Sequence, residues 1–63
     1  MTDNFAEQLK LARNAAGLTQ QSMAERMLIP ARSIENWESG CRVPPPYVQR
    51  FVLNELDAIK KEG

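Results

Sequence analysis

Side chains that bind anions are concentrated in the middle of this sequence. Arginine guanidinium groups hold phosphate and carboxylate oxygens in a bidentate manner, and four of the five arginines fall in the middle of the chain, at Arg26, Arg32, Arg42 and Arg50. The whole chain nevertheless has eight basic and eight acidic residues and a net charge of zero, whereas a nucleic-acid-binding domain usually carries a basic excess. The sequence therefore allows a basic face on a neutral molecule, but its bulk charge does not demonstrate one.

Catalytic and metal-binding groups are scarce. The sequence has no histidine and one cysteine, Cys41, so a zinc site of the usual cysteine and histidine type cannot form within one chain. It also has no glycine-rich phosphate loop and no nucleophile with a recognisable base. We therefore expect no enzymatic activity, no metal and no cofactor.

The length and the apolar pattern point to one small domain. A chain of 63 residues has no room for a substrate cleft beside its core. No apolar run approaches the ~18 residues that a membrane span needs, and Met1 to Asn4 lack the features of a signal peptide. Because the lone Cys41 cannot form an internal disulfide, we expect a reducing cytoplasm. The prediction is a single domain over residues 1–63 that does not associate with a membrane.

Two helices are predicted in the first half of the chain. Apolar residues recur at helical spacing from about residue 4 to 16, with Asp3 or Asn4 as the cap and Gly17 as the end. Thr19 is a good N-cap for a second helix, about 20–27, whose Met23, Ala24 and Met27 share one face.

Two more helices are predicted after Ile29. Proline is favoured in the first turn of a helix, so the third helix starts at Pro30 or just after it and ends at Ser39–Gly40. Ile34 and Trp37 are its apolar pair, and Trp37 is expected to anchor it on helices one and four. Residues 41–46 form an extended connector because they include three prolines. The fourth helix, about 47–61, has Tyr47 and Leu53 outside its inner stripe, which is predicted to be Val48, Phe51, Val52, Leu56 and Ile59.

The second and third helices have the spacing of a helix-turn-helix, with a three-residue turn at 28–30. The stretch 18–27, together with Ile29, Ser33–Ile34, 37–40, Arg42 and Pro44, resembles the phage-repressor-like helix-turn-helix family (XRE, the Cro repressor type). The resemblance implies an all-α, lambda-repressor-like compact bundle, with four helices or the five that the family often has. Residues 43–49 also resemble small phage regulators associated with anti-CRISPR operons.

The resemblance assigns roles to individual residues. In the family the second helix of the motif enters the major groove, and the corresponding outward residues here are Ala31, Arg32, Ser33, Glu35 and Asn36. Arg32 is suited to guanine and Asn36 to adenine, Ala31 to a thymine methyl, and Glu35 either to cytosine or to no base at all. Phosphate contacts are implied for Thr19, Gln20, Ser39 and Arg42. Each role has an alternative interpretation: the third helix simply faces solvent, Thr19 acts only as a helix cap, and Arg42 is an ordinary solvated charge. The resemblance also implies an ion pair between Arg13 and Glu38 that positions helix one against helix three.

Two departures from the family pattern affect the turn. Leu28 stands where the family usually has glycine, and a leucine resists a left-handed conformation. Pro30 stands where a serine or threonine usually caps the third helix. We therefore expect an altered turn and the loss of that cap.

The predicted function is that of a homodimeric repressor that binds a palindromic double-stranded operator and occludes a promoter without a small-molecule effector. Surplus apolar surface on helix four, at Tyr47, Leu53 and Leu56, is assigned to the dimer interface. One alternative is an antitoxin-like protein-interaction module that also binds DNA. The other is a small helical bundle with a purely structural role.

Overall fold

Four helices form the part of the chain that the structure describes. In this computed structural model, which describes residues 4–62, α1 spans Phe5–Ala15, α2 Gln20–Met27, α3 Ala31–Ser39 and α4 Pro46–Glu62. The predicted all-α fold of four helices is therefore confirmed, and α2 has its predicted bounds. The connector is one residue shorter than predicted, since Pro46 forms the first residue of α4, where a proline is tolerated.

Local capping explains most of the helix boundaries. The Asn4 side chain accepts a hydrogen bond from the backbone N–H of Ala6 at 3.0 Å, and Thr19 accepts one from the backbone N–H of Ser22 at 3.0 Å. The alternative cap, Asp3, lies outside the described residues. Gly40 takes a left-handed conformation with φ of 85° at the end of α3, which suits a residue without a Cβ.

The turn between α2 and α3 has the left-handed geometry that glycine usually provides. Leu28 adopts φ of 57° and ψ of 43°, and the backbone N–H of Ile29 closes the turn on the carbonyl of Ala24 at 3.0 Å. The expectation of an altered turn is therefore wrong, because the leucine itself takes the left-handed conformation at a cost of ~1–2 kcal/mol. Pro30 provides no side-chain cap to α3, as expected.

The core is centred on α1, which packs against α3 and α4, while α2 packs against α3. Its fully buried side chains come from all four helices: Leu9, Met23, Ile34, Val52 and Leu56. Trp37 is half-buried and packs against Phe5 in a T-shaped arrangement, with ring centroids 6.4 Å apart. This contact attaches α3 to the first turn of α1 and so orients α3.

The predicted inner stripe of α4 is wrong at Phe51, whose side chain is 56% exposed. Phe51 and Leu53 lie on opposite flanks of Val52, each about 100° away around the helix. Leu53 packs against the core cluster and lines a groove of about 150 Å³ with Ala12 and Ala15 of α1. Leu53 is therefore half-buried against the core, and the Phe51 flank faces solvent.

Candidate nucleic-acid interface

The outward face of α3 is polar. Ile34 and Glu38 are buried on its inner side. Arg32 and Asn36 lie four residues apart on the opposite side, and Ser39 continues that row one turn later. Arg32 is exposed and Asn36 half-exposed, and within residues 4–62 Arg32 forms no salt bridge. The helix therefore presents a guanidinium and an amide side by side on its solvent face.

The other three predicted base-reading residues flank this row. Ala31 is half-buried and packs against the core cluster. Ser33 is half-buried and Glu35 is exposed. The backbone N–H of Ser33 donates to the carbonyl of Pro30 at 3.0 Å, which closes the first turn of α3 without a side-chain cap. Arg32 and Asn36 are therefore the central polar residues of this face, while Ala31 contributes to the packing as well.

The start of α2 presents unpaired backbone donors. Within the described part of the chain, no hydrogen bond is formed by the backbone N–H groups of Gln20 and Gln21, as is usual in a first helical turn. The Thr19 hydroxyl is already engaged, since it caps α2 and lies 2.8 Å from the Ser22 hydroxyl. These N–H groups point out of the helix start, where an anion can be bound.

The end of α3 is organised by Ser39. Its hydroxyl donates to the carbonyl of Asn36 at 3.1 Å and accepts from the backbone N–H of Cys41 at 3.3 Å. Arg42 follows on the surface, with its backbone N–H bonded to the same Asn36 carbonyl at 3.3 Å. The connector then enters α4, where the Gln49 amide donates to the carbonyl of Pro44 at 2.8 Å. The backbone that carries Arg42 is thus held at both ends.

Arg13 and Glu38 join α1 to the last turn of α3. The Arg13 guanidinium donates from Nε to Glu38 Oε2 at 2.7 Å and from Nη2 to Oε1 at 3.0 Å. It also donates from Nη1 to the carbonyl of Leu18 at 2.9 Å. The two side chains are 14% and 5% exposed. The structure therefore brings together the two residues of the expected ion pair in a bidentate, largely buried geometry.

Gln20 extends this pair to α2. Its amide Nε2 donates to Glu38 Oε1 at 3.1 Å, so Glu38 accepts hydrogen bonds from two other helices. Burial raises the pKa of Glu38, but the hydrogen bonds from Arg13 and Gln20 and the charges of Arg13 and Lys10 outweigh it and hold the pKa below its usual value. The hydrogen bond with Glu38 raises the pKa of Arg13 in turn. The network is therefore charged at neutral pH.

Comparison with protein families gives one match, the Helix-turn-helix domain, over residues 4–56. This match covers α1, α2, α3 and most of α4. The chain belongs to the helix-turn-helix domain family. Searches of curated proteins and of solved structures found no match. Membership of this family indicates that the partner is DNA and that the domain is of a type that is typically not an enzyme.

The helix-turn-helix domain also has an uncovered apolar face on α4. Tyr47 is 74% and Phe51 56% exposed, and Asn54 and Ala58 continue the same exposed row. Of the residues assigned to a dimer interface, Tyr47 lies on this face. Leu53 is turned towards α1, and Leu56 is 1% exposed, so its side chain has no surface left for a partner.

Two features of the domain were missed by the sequence reasoning. The exposure of Phe51 depends on which flank of α4 is covered by α1, and no local pattern carries that information. The hydrogen bond between Gln20 and Glu38 joins residues 18 positions apart. Its one sequence signal is an amide at the first position of α2, together with a carboxylate already expected to pair with Arg13. No helix within residues 4–62 is long and apolar enough to cross a membrane.

Proposed function

We propose that this helix-turn-helix domain is a sequence-specific regulator of transcription that places α3 in the major groove of double-stranded DNA. The observation that carries the proposal is the outward row of Arg32 and Asn36 on α3, within a chain that matches the family. The same pair also suits a solvent-facing helix, and the family match favours the DNA-binding interpretation over that one. In the major groove, arginine pairs with guanine O6 and N7 and asparagine with adenine N6 and N7.

The remaining base contacts come from the flanks of this row. Ser33 and Glu35 reach the edges of neighbouring base pairs, with Glu35 accepting from cytosine N4. Ala31 lies at the first turn of α3, where its partly exposed methyl group meets a thymine methyl. These contacts are secondary to those of Arg32 and Asn36, because Ala31 and Ser33 are each half-buried.

Phosphate contacts on both sides of α3 hold the domain in register. At the start of α2, the free N–H groups of Gln20 and Gln21 and the Gln20 side chain bind one phosphate. Beyond α3, Arg42 binds a second phosphate. Ser39 supports this contact by holding the backbone before Arg42, because its hydroxyl already donates to the carbonyl of Asn36. Thr19 supports the first contact chiefly as the cap of α2, because its hydroxyl is already shared with Ser22. Such contacts position the domain without reading sequence.

The working form that we propose is a symmetric dimer that represses by occluding a promoter. One α3 reads only a few base pairs, and two copies related by a twofold axis read a palindrome with half-sites about 34 Å apart. Occlusion of polymerase needs no effector. The interface is the α4 face of Tyr47, Phe51, Asn54 and Ala58, which replaces the set that included Leu53 and Leu56.

An antiparallel pairing of two α4 helices suits this face. The exposed row follows the spacing of four, three and four residues that keeps side chains on one side of a helix. With the helices antiparallel and crossing near Asn54, the large Phe51 of each copy lies against the small Ala58 of the other. Arg50 then lies near the acidic Asp57 of the second copy, so charge and size are both complementary.

The assignment of the chain to a particular type of helix-turn-helix regulator is also part of this proposal. The resemblance of residues 18–40 to the XRE type agrees with the helix-turn-helix match, and it supports the role of a repressor. The resemblance of residues 43–49 to regulators of anti-CRISPR operons has no counterpart in that match and stays a prediction. An antitoxin-like role would need a protein partner, and a toxin that copurifies from the native host would favour it.

Selection of bound genomic fragments by the purified protein tests the proposal. We expect the recovered fragments to share a palindromic site. Arg32→Ala and Asn36→Ala should each relax the preference at a base position of that site. Arg26→Ala is a matched control, because it removes the same charge as Arg32→Ala from an arginine that pairs with Glu62. A flat binding curve against all fragments at low salt would contradict DNA binding, and unchanged preference in both alanine variants would contradict the assigned readers.

A further inference from the structure

Glu38 lies between the buried ion pair and the proposed phosphate contact of α2. Its Oε1 atom accepts from Arg13 Nη2 at 3.0 Å and from Gln20 Nε2 at 3.1 Å. A carboxylate has acceptors and no donor. The end of the Gln20 amide that faces Glu38 must therefore be the NH₂ group and not the carbonyl.

We infer that Glu38 is a positioning residue for DNA binding, which orients the Gln20 amide so that its second N–H is presented to the phosphate. An amide nitrogen has two hydrogens, and Glu38 takes one of them. Gln20 is half-exposed at the first position of α2, next to the free backbone N–H groups of the same turn. The inference rests on the proposed DNA binding.

Arg13 makes this arrangement compatible with an anionic ligand. An unpaired carboxylate close to a phosphate would repel it, whereas a bidentate guanidinium balances the charge of Glu38. The Arg13 guanidinium is itself fixed by the carbonyl of Leu18 at 2.9 Å, in the segment that leads into α2. The three side chains therefore fix the Gln20 amide, the donor at the start of α2, relative to α1 and α3.

A double-mutant cycle with Glu38→Ala and Gln20→Ala tests the inference, with affinity measured for the selected operator and for a duplex of unrelated sequence. Alanine is used at position 38 because a glutamine there would keep an oxygen that accepts from the Gln20 amide. The loss of one oriented donor corresponds to an affinity decrease of about fivefold to tenfold. We expect this decrease on both duplexes for each single variant, and a decrease of less than about twofold when Gln20→Ala is added to Glu38→Ala. Additive effects would overturn the inference, since a carboxylate that only stabilises the fold has no reason to act through Gln20.

Glu7→Gln is the charge-matched control. Glu7 is exposed in the first turn of α1, and its neutralisation changes the net charge as Glu38→Ala does. Removing a negative charge should maintain or strengthen DNA binding, so Glu7→Gln is expected to leave the affinity unchanged or higher, while Glu38→Ala lowers it. A decrease of the same size in both would contradict a role specific to Glu38.

The side-chain amide protons of Gln20 in the wild-type protein give a measurement that needs no Glu38 variant to fold. Nuclear magnetic resonance separates the two protons, and their signals are assigned by their disappearance in Gln20→Ala. Addition of the duplex should shift one signal strongly while the proton bonded to Glu38 stays near its position. If the wild type binds the duplex and neither signal moves, the positioning role is refuted while DNA binding stands. If the wild type binds no duplex, the proposed function itself fails.

Discussion

Replacing Leu28 with glycine should stabilise the protein, although it removes a large apolar side chain. Leu28 has φ of 57°, and a left-handed conformation costs an L-residue ~1–2 kcal/mol. The side chain is 90% exposed, so its removal takes almost no apolar surface out of the core. Glycine also lowers the free energy of unfolding by ~0.5–1 kcal/mol, because it increases the entropy of the unfolded chain. The net gain in the free energy of unfolding is therefore about 0.5–1 kcal/mol.

Thermal unfolding followed by far-UV circular dichroism measures this gain. For a domain of this size, 1 kcal/mol corresponds to a change in Tm of about 4–8 °C, so Leu28→Gly should raise Tm by about 2–8 °C. Leu28→Ala is the matched control, because alanine removes the same apolar surface but keeps the Cβ atom that causes the strain. Its free energy of unfolding should stay within about 0.5 kcal/mol of the wild type. If the glycine and alanine variants unfold at the same temperature, the turn stores no such strain and the reasoning is refuted.

Four further predictions concern the site and the interface. The folded protein lowers the pKa of Glu38 below the value of about 4.3 that a glutamate has in an unfolded chain. Ionised Glu38 therefore makes its full contribution to the free energy of unfolding at neutral pH, and this contribution is lost as the pH falls from about 4.3 through the folded pKa. Glu38→Gln should therefore flatten the dependence of Tm on pH in that acidic range, and an unchanged slope would contradict the pKa direction. Arg32→Ala and Asn36→Ala should each cost ~1–3 kcal/mol of operator binding, as measured by titration against operator duplexes with single base changes. Arg42→Ala should weaken specific and non-specific binding alike and lower the salt slope of log K by about one, whereas an effect limited to one base pair would make Arg42 a base reader. Phe51→Glu should give a folded monomer with much weaker operator binding in sedimentation experiments, and one wild-type chain per operator would exclude the dimer.

The helix pattern of this protein can be predicted from its sequence because the signals that begin and end its helices act over a few residues. Asn4 and Thr19 cap the turns that follow them, and Gly40 ends α3 with a positive φ. The prolines exclude a helix between α3 and α4. Such effects depend on the covalent neighbours of each residue, so they are present in any fold that the chain adopts. The outward placement of Arg32 and Asn36 follows in the same way from the period of α3.

The tertiary structure alone decided the features that depend on which helix packs where. Phe51 and Leu53 flank the same buried residue, and only the position of α1 determines that Leu53 is covered and Phe51 is left to solvent. Leu28 accepts a strained conformation because the packing of α2 on α3 requires the turn at that point. Gln20 meets Glu38 because α1 and α3 hold that carboxylate beside the start of α2. In each case the energy comes from contacts between residues distant in the chain, and a local pattern cannot specify such contacts.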